Sequence, residues 1–277
     1  MAACPPAIRG EALSGAGAWV RTPAANDLLY PIRRILDVDV AVLQQADAIA
    51  LVQQAVAQQS GAVFAFCNAH TANLARSDAA LRTALAQATV FNDGIGVDLA
   101  SELLYHTPFP DNLNGTDLTP TLLASLPAGT PVFLLGSAPG VAEKAGALLA
   151  DHHGITVAGT YHGFFAEADE AALAERIRAS GAQLVIAAMG NPRQEVWATR
   201  NAKQLGMPVL CVGAFLDFTA RVVSRAPAVV RRLRLEWTWR LLLEPQRMAR
   251  RYLVGNATFL LAVRQQRGAL RHAAMAT

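Results

Sequence analysis

Cysteine is scarce in this chain. Its three copies, Cys4, Cys67 and Cys211, are odd in number and lack metal-ligand spacing, so neither a disulfide framework nor a metal knot is expected. Cys67 and Cys211 fall in apolar runs that read as buried strands, where a thiol serves as a small apolar side chain in a reducing compartment. The six histidines show no ligand spacing either, so no metal site is expected. Charged residues make up only 16% against 53% hydrophobic, a balance that excludes disorder and implies a well-buried core. No apolar run reaches the roughly 18 residues that a membrane-spanning helix needs. The best candidate, residues 252–263, is interrupted by Gly255 and Asn256. The N-terminus lacks the charged-then-apolar order of a signal peptide. A soluble or peripheral, cytoplasmic protein is expected.

Lysine is missing altogether from Arg221 to Thr277. That stretch carries twelve arginines against Glu236 and Glu244, a net of +10; with +3 overall, the first 220 residues carry −7. Such polarity speaks to partners more than to fold. The arginines are interleaved with Trp237, Trp239, Leu241, Leu242, Leu243, Met248 and Tyr252, a mixture suited to an anionic membrane surface. Arg240, Arg247 and Arg251 recur at helical spacing, and guanidinium groups grip phosphate oxygens in pairs. A solvated basic helix is the plainer alternative.

The chain divides into a loose, Ala/Gly/Pro-rich tail over residues 1–30, an α/β core over 31–222 and a basic helical appendage over 223–277. Residues 35–42 read as one strand and 46–59 as a helix. The run AVFAFC over 62–67 has the unbroken apolarity of a strand buried on both faces. One helix is expected over 71–87, a strand over 89–91, a helix over 97–105, and a further helix capped by Thr116. Strands at 131–135, 155–158, 184–189 and 209–212 then alternate with helices at 141–153, 168–179 and 193–205. This alternation predicts a doubly wound, mostly parallel, Rossmann-like sheet.

Ligands collect at the carboxyl ends of such strands. Those ends carry Asn68, Asn92-Asp93-Gly94, Gly136-Ser137, the turn Gly190-Asn191-Pro192-Arg193-Gln194-Glu195, and Gly213 with Asp217. GxGxxG is absent, which disfavours a classical dinucleotide site. Asp93, after a strand and before a glycine, could accept a proton from a hydroxyl nucleophile; an Asx turn is the structural alternative. Pro192 suits the first position of a helix, which would project Gln194 and Glu195 beside the ligand edge. Glu195 could instead merely favour the helix dipole. His70 and His162 lie near strand ends where a ligand could touch them.

Several segments occur in an order that resembles a known family. They are Asn68 and Asn73, FNDGIGV (91–97), FLLGSAPGVAEKAG (133–146), YHGFF (161–165), MGNPRQE (189–195), VGAFLDF (212–218), SRAP (224–227) and EWTWRLLLEPQRMARRYL (236–253). Together they look like the WecG/TagA/CpsF glycosyltransferases, glycosyltransferase family 26, over roughly residues 35–255. The resemblance implies a metal-independent, inverting enzyme. It would move a sugar from a UDP-sugar, of N-acetylmannosamine or glucose type, to a polyprenyl-diphosphate-linked saccharide at the cytoplasmic membrane face. It also implies that Asp93 is the base and that Gln194 lies in the active site. The nucleotide-sugar is then expected on Asn68, Gly136, Ser137, Gly163, Phe164, Gly190, Glu195, Gly213 and Asp217, and the acceptor diphosphate on Arg225, Arg240, Arg247 and Arg251. No cofactor and no nucleic-acid partner are expected; self-association is left open. Phe66 stands where members often carry Thr, a departure at the sugar wall. A membrane-bound nucleotide-sensing scaffold and a nucleotide-sugar oxidoreductase or epimerase are the rival classes. The furnished strand ends argue against the first and the missing GxGxxG against the second.

Overall fold

The computed structural model describes residues 19–21, 29–227, 229–230 and 235–275. Its centre is a six-stranded, wholly parallel sheet: β4 (Val63–Cys67), β5 (Thr89–Asn92), β6 (Pro131–Gly136), β7 (Thr156–Tyr161), β8 (Leu184–Ala188) and β9 (Val209–Cys211). The spatial order is β5-β4-β9-β8-β6-β7. Every residue of β4 and β8 is buried, which accounts for their unbroken apolar runs. Side chains alternate across the sheet. Val63, Ala65 and Cys67 enter one half of the core while Phe64 and Phe66 enter the other. Helices α1 (Gln45–Ala57), α5 (Gly115–Ser125), α6 (Val141–His153) and α9 (Phe215–Thr219) cover the Phe66 side. The opposite face is covered by α2 (Ala69–Ser77), α3 (Ala79–Ala86), α4 (Ile95–Tyr105), α7 (Glu170–Ala179) and α8 (Arg193–Leu205). This is the doubly wound α/β architecture expected. β6 leads outward to β7 through α6 on the Phe66 side, while its neighbour β8 leads the other way to β9 through α8 on the opposite side, so the crossovers part between β6 and β8. The strand-end loops open into a crevice there.

Several local readings change. Residues 35–42 form not one strand but the close of a hairpin, β2 (Leu29–Ile35) and β3 (Val38–Ala41). It turns at Leu36, which adopts φ 54° without the Asn-Gly signal that usually marks such a turn. The helix expected over 71–87 is two, because Asp78 ends α2 and caps α3, its Oδ1 accepting the Leu81 N–H at 2.9 Å. Asn114, not Thr116, caps α5, accepting the Asp117 N–H at 2.9 Å. Pro192 stands just before α8 rather than within its first turn. Within the stretch read as a loose tail, β1 (Trp19–Arg21) pairs with β2, and residues 1–18 and 22–28, Cys4 among them, lie outside the described residues.

After α9 the chain runs through α10 (Glu236–Leu243), α11 (Pro245–Ala249), a π turn (Arg250–Val254) and a last helix, α12 (Gly255–Met275). The helix breaks at Glu244, ahead of Pro245, whose ring cannot continue the preceding hydrogen-bond ladder. Phe259 and Val263 of α12 are fully buried in the core beside α2 and α4. Gln266 on α12 reaches the hairpin turn: its Oε1 accepts the Leu36 N–H at 2.9 Å and its Nε2 donates to the Arg34 carbonyl at 2.9 Å. Among the described residues no helix is long and apolar enough to cross a membrane.

Gly136, at the end of β6, has φ 145°, and a Cβ there would stand 2.4 Å from the Ala188 carbonyl. Gly136→Ala should therefore cost about 3 kcal/mol or more, from strain and overlap together. At Gly140 φ is 84° but the space is open, so Gly140→Ala should cost about 1 kcal/mol. Urea midpoints of the two variants check the order.

Candidate active site

The site begins at two neighbouring strand ends. Asn68 follows β4 and caps α2: its Oδ1 accepts the His70 and Thr71 N–H groups, each at 3.1 Å. That fixes the amide's orientation, and its Nδ2 donates to Asp93 Oδ2 at 3.1 Å. Asp93 follows β5; its own N–H is held by the Cys67 carbonyl at 2.8 Å, and the next amide, Gly94, donates to Asn112 Oδ1 at 2.8 Å. The carboxylate is thus fixed from the side chain and the backbone. Burial pushes the Asp93 carboxyl above its ordinary range and Asp117 adds to this. The Asn68 hydrogen bond and the charges of Arg251 and Arg240 pull the other way. Burial, helped by Arg251, pushes the neighbouring His70 imidazole down to about 4, so it is neutral at pH 7.

Two cavities meet at this point. One, of about 530 Å³, lies over the ends of β6, β8 and β9, with Ser137, Gly163, Phe164, Gly190, Gln194, Gly213 and Asp217 in its wall. The other, of about 410 Å³, runs under the C-terminal segment, between the start of α4 and the aromatic residues Trp237, Trp239, Tyr252 and Phe259. Both volumes fall within the range of small-ligand pockets. Asn68, His70, Asp93, Thr116, Phe218, Arg240 and Arg251 line both, so the carboxylate and two guanidinium groups stand at the junction. Arg240 lies 5.6 Å over the Phe218 ring and Arg251 5.6 Å over that of Tyr252. The Ser137 Oγ is buried and finds no partner among the described residues, so it can serve a ligand oxygen.

The walls of the larger cavity are braced from behind. Gln194 Oε1 accepts the N–H groups of Gly190 and Gly213, both at 3.1 Å, tying the loop after β8 to the loop after β9. Its Nε2 donates to Glu195 Oε1 at 2.8 Å, and Asn191 Nδ2 donates to the same oxygen at 2.5 Å. Arg193 spans to the loop after β7, donating to the carbonyls of Gly163 and Phe165 at 2.5 Å each and lying 4.5 Å over the Phe165 ring.

The Glycosyl transferase WecG/TagA/CpsF family model matches residues 33–273. The chain belongs to this family. Membership makes the protein a glycosyltransferase of cell-surface polysaccharide synthesis, a family served by a sugar-nucleotide donor and a lipid-linked acceptor.

In this family member most of the sequence-derived site residues converge on the two cavities, but not all of them. Glu195 lines neither; it is fully buried, and reaches the larger cavity only through Gln194 and Asn191. The acid one place beyond a strand-end glutamine turns inward because the helix presents successive side chains about 100° apart. Gly136 also stays behind the wall, packed on Ala188, and it is Ser137 that faces the space. Arg225 lines the smaller cavity while paired to Asp117, with Glu236 4.0 Å away. Arg247 lies on α11, and its side chain is outside the described residues. His162 lines neither cavity and stacks on Tyr161 at 4.6 Å. Phe66 lies in the wall of the larger cavity against Gly115, where a Cβ would come within 3.0 Å of its ring. Arg193 and Thr116 also line cavities without having been picked out as site residues; the clue for Arg193 was its place in the first turn of a helix at a strand end.

Burial raises the Glu195 carboxyl to about 7, against an ordinary value of 4.5, and its Oε2 is buried without a partner among the described residues. The folded protein therefore keeps this proton to about pH 7, while the unfolded chain releases it near 4.5. Stability from the site is full below 4.5 and falls as pH rises to 7. Glu195→Gln keeps an acceptor oxygen but does not titrate, and should flatten that decline by about 3 kcal/mol. Chemical denaturation at pH 5 and pH 7.5 checks it.

Proposed function

We propose that the protein is an inverting glycosyltransferase that moves a sugar, of N-acetylmannosamine or glucose type, from a UDP-sugar to a polyprenyl-diphosphate-linked saccharide. The observation that carries this reading is Asp93, a fixed carboxylate at the junction of a polar cavity and a largely apolar one, with Arg240 and Arg251 beside it. The UDP-sugar occupies the larger cavity, its diphosphate near Ser137 and the start of α6. The acceptor enters from the smaller one. Asp93 takes the proton of the acceptor hydroxyl, and that oxygen attacks the anomeric carbon from the face opposite UDP. One displacement inverts the configuration. The charge that develops on the departing diphosphate is met by Arg240 and Arg251, with no metal ion in the reading. Gln194 acts by holding the Gly190 and Gly213 loops around the donor. The arginines and tryptophans of the C-terminal segment rest the protein on the anionic inner face of the plasma membrane, as a peripheral protein.

An Asp93 carboxyl raised by burial is a stronger base than an ordinary carboxylate. Asp93→Asn should keep donor binding and lower turnover by roughly 100-fold or more. It should also remove the acid limb of the pH–rate profile, which lies above the ordinary carboxylate range. A variant turning over at the parent rate would remove Asp93 from the mechanism. In the parent, transfer should persist in excess EDTA; loss that added Mg²⁺ or Mn²⁺ restores would show that the arginines do not neutralise the diphosphate alone.

A further inference from the structure

The smaller cavity is graded along its length. Its inner end is polar and cationic, with Asp93, Arg240 and Arg251, and two of its donors, Arg240 Nε and Trp239 Nε1, are buried without a partner among the described residues. Elsewhere one wall is apolar, with Ile95 and Leu99 from α4, Phe259 and Leu260 from α12 and the Trp239 and Tyr252 rings, while Asn112, Asn114, Asp117, Ser224, Arg225 and Glu236 furnish polar groups on the rest of the lining. Leu99 and Leu260 are 47% and 40% exposed, so this wall opens to the surface. Leu253, Val254 and Leu261, on the same C-terminal stretch, are exposed as well. A pocket for a free sugar has no need of such a wall, since sugars present hydroxyls that a leucine leaves unpaired. Gly96 shows that the approach of the two walls is built in: a Cβ there would come to 3.2 Å from the Ala69 Cβ and 3.9 Å from the Phe259 ring.

We infer that the apolar end of this cavity binds the first isoprene units of the acceptor lipid, so that the protein itself recognises the tail, apart from any bilayer. The inference rests on the reading of the acceptor as a lipid diphosphate. Charge complementarity selects the occupant: Arg240 and Arg251 line both cavities and so stand between the departing diphosphate and that of the acceptor, and the hydrocarbon attached to the acceptor diphosphate then lies along Leu99, Phe259 and Leu260 toward the surface. The tail thereby fixes the direction of the acceptor and brings its sugar hydroxyl to Asp93. Beyond these first units the chain passes into the membrane.

The test is a series of synthetic saccharide diphosphates with methyl, geranyl or farnesyl tails, used below their micelle concentrations with no vesicles or detergent. From methyl to farnesyl, KM should fall about tenfold or more, the scale of burying a few methylene groups, while kcat changes little. In the Leu99→Asn/Leu260→Asn variant, both sites being partly exposed, the ratio of the methyl to the farnesyl KM should drop to near one. The ratio is read within one variant, so a general loss of active protein cannot imitate the result. Equal KM values across the series in the parent, with transfer proceeding, would overturn tail recognition and leave the glycosyl-transfer reading standing. A parent ratio that survives the double substitution would place the tail elsewhere and overturn it too. No transfer to any diphosphate acceptor, with UDP still released to water, would sink the acceptor reading on which the inference rests.

Discussion

A carboxylate that is to act as a base must be partly withdrawn from water, and withdrawal alone would protonate it. Asp93 meets this conflict with one hydrogen bond from Asn68 and the charges of Arg251 and Arg240. The three come from separate places: Asn68 from the end of β4, the arginines from the C-terminal helical segment. The sheet puts the first two residues side by side because β4 and β5 are neighbours and end in register, Cys67 facing Asn92. The arginines arrive only because Phe259 and Val263 anchor the last helix in the core. Core packing therefore sets the environment of the Asp93 carboxylate, through the position of its counter-charges.

The same division of labour explains the walls. Gln194 has its oxygen committed to two loop amides, so it shapes the donor cavity more than it reaches into it. Glu195, buried behind it, holds the glutamine amide and Asn191 in place. An Asn-Pro-Arg-Gln-Glu turn is thus a knot joining the loops after β7, β8 and β9, with Arg193 as its third tie.

The sheet was legible because fully buried parallel strands leave unbroken apolar runs such as VFAFC and LVIAA, and because the helices between them keep regular lengths. Asp93 was legible for a different reason, as an acid beside a glycine at a strand end. What escaped was set by single hydrogen bonds or by direction. Asp78 splits one apparent helix, since the apolar pattern runs across it and only its cap interrupts. Leu36 turns a hairpin with a residue that seldom adopts such a φ, a choice that neighbouring structure makes. Glu195 looked like a ligand contact because sequence gives position along a helix but not which way its side chain meets the sheet. The pairing of Arg225 with Asp117 joins residues far apart in the chain, beyond any local pattern.

Gln266 and the turn at Leu36 are bonded across 230 residues of sequence. A ribosome makes the hairpin well before the helix that clasps it. Arg240, Arg251 and the roof over Asp93 lie on that same late stretch. A nascent chain can assemble its sheet while Asp93 still faces open solvent with no guanidinium beside it. A chain stopped before that stretch would hold a well-made sheet and a carboxylate without its counter-charges.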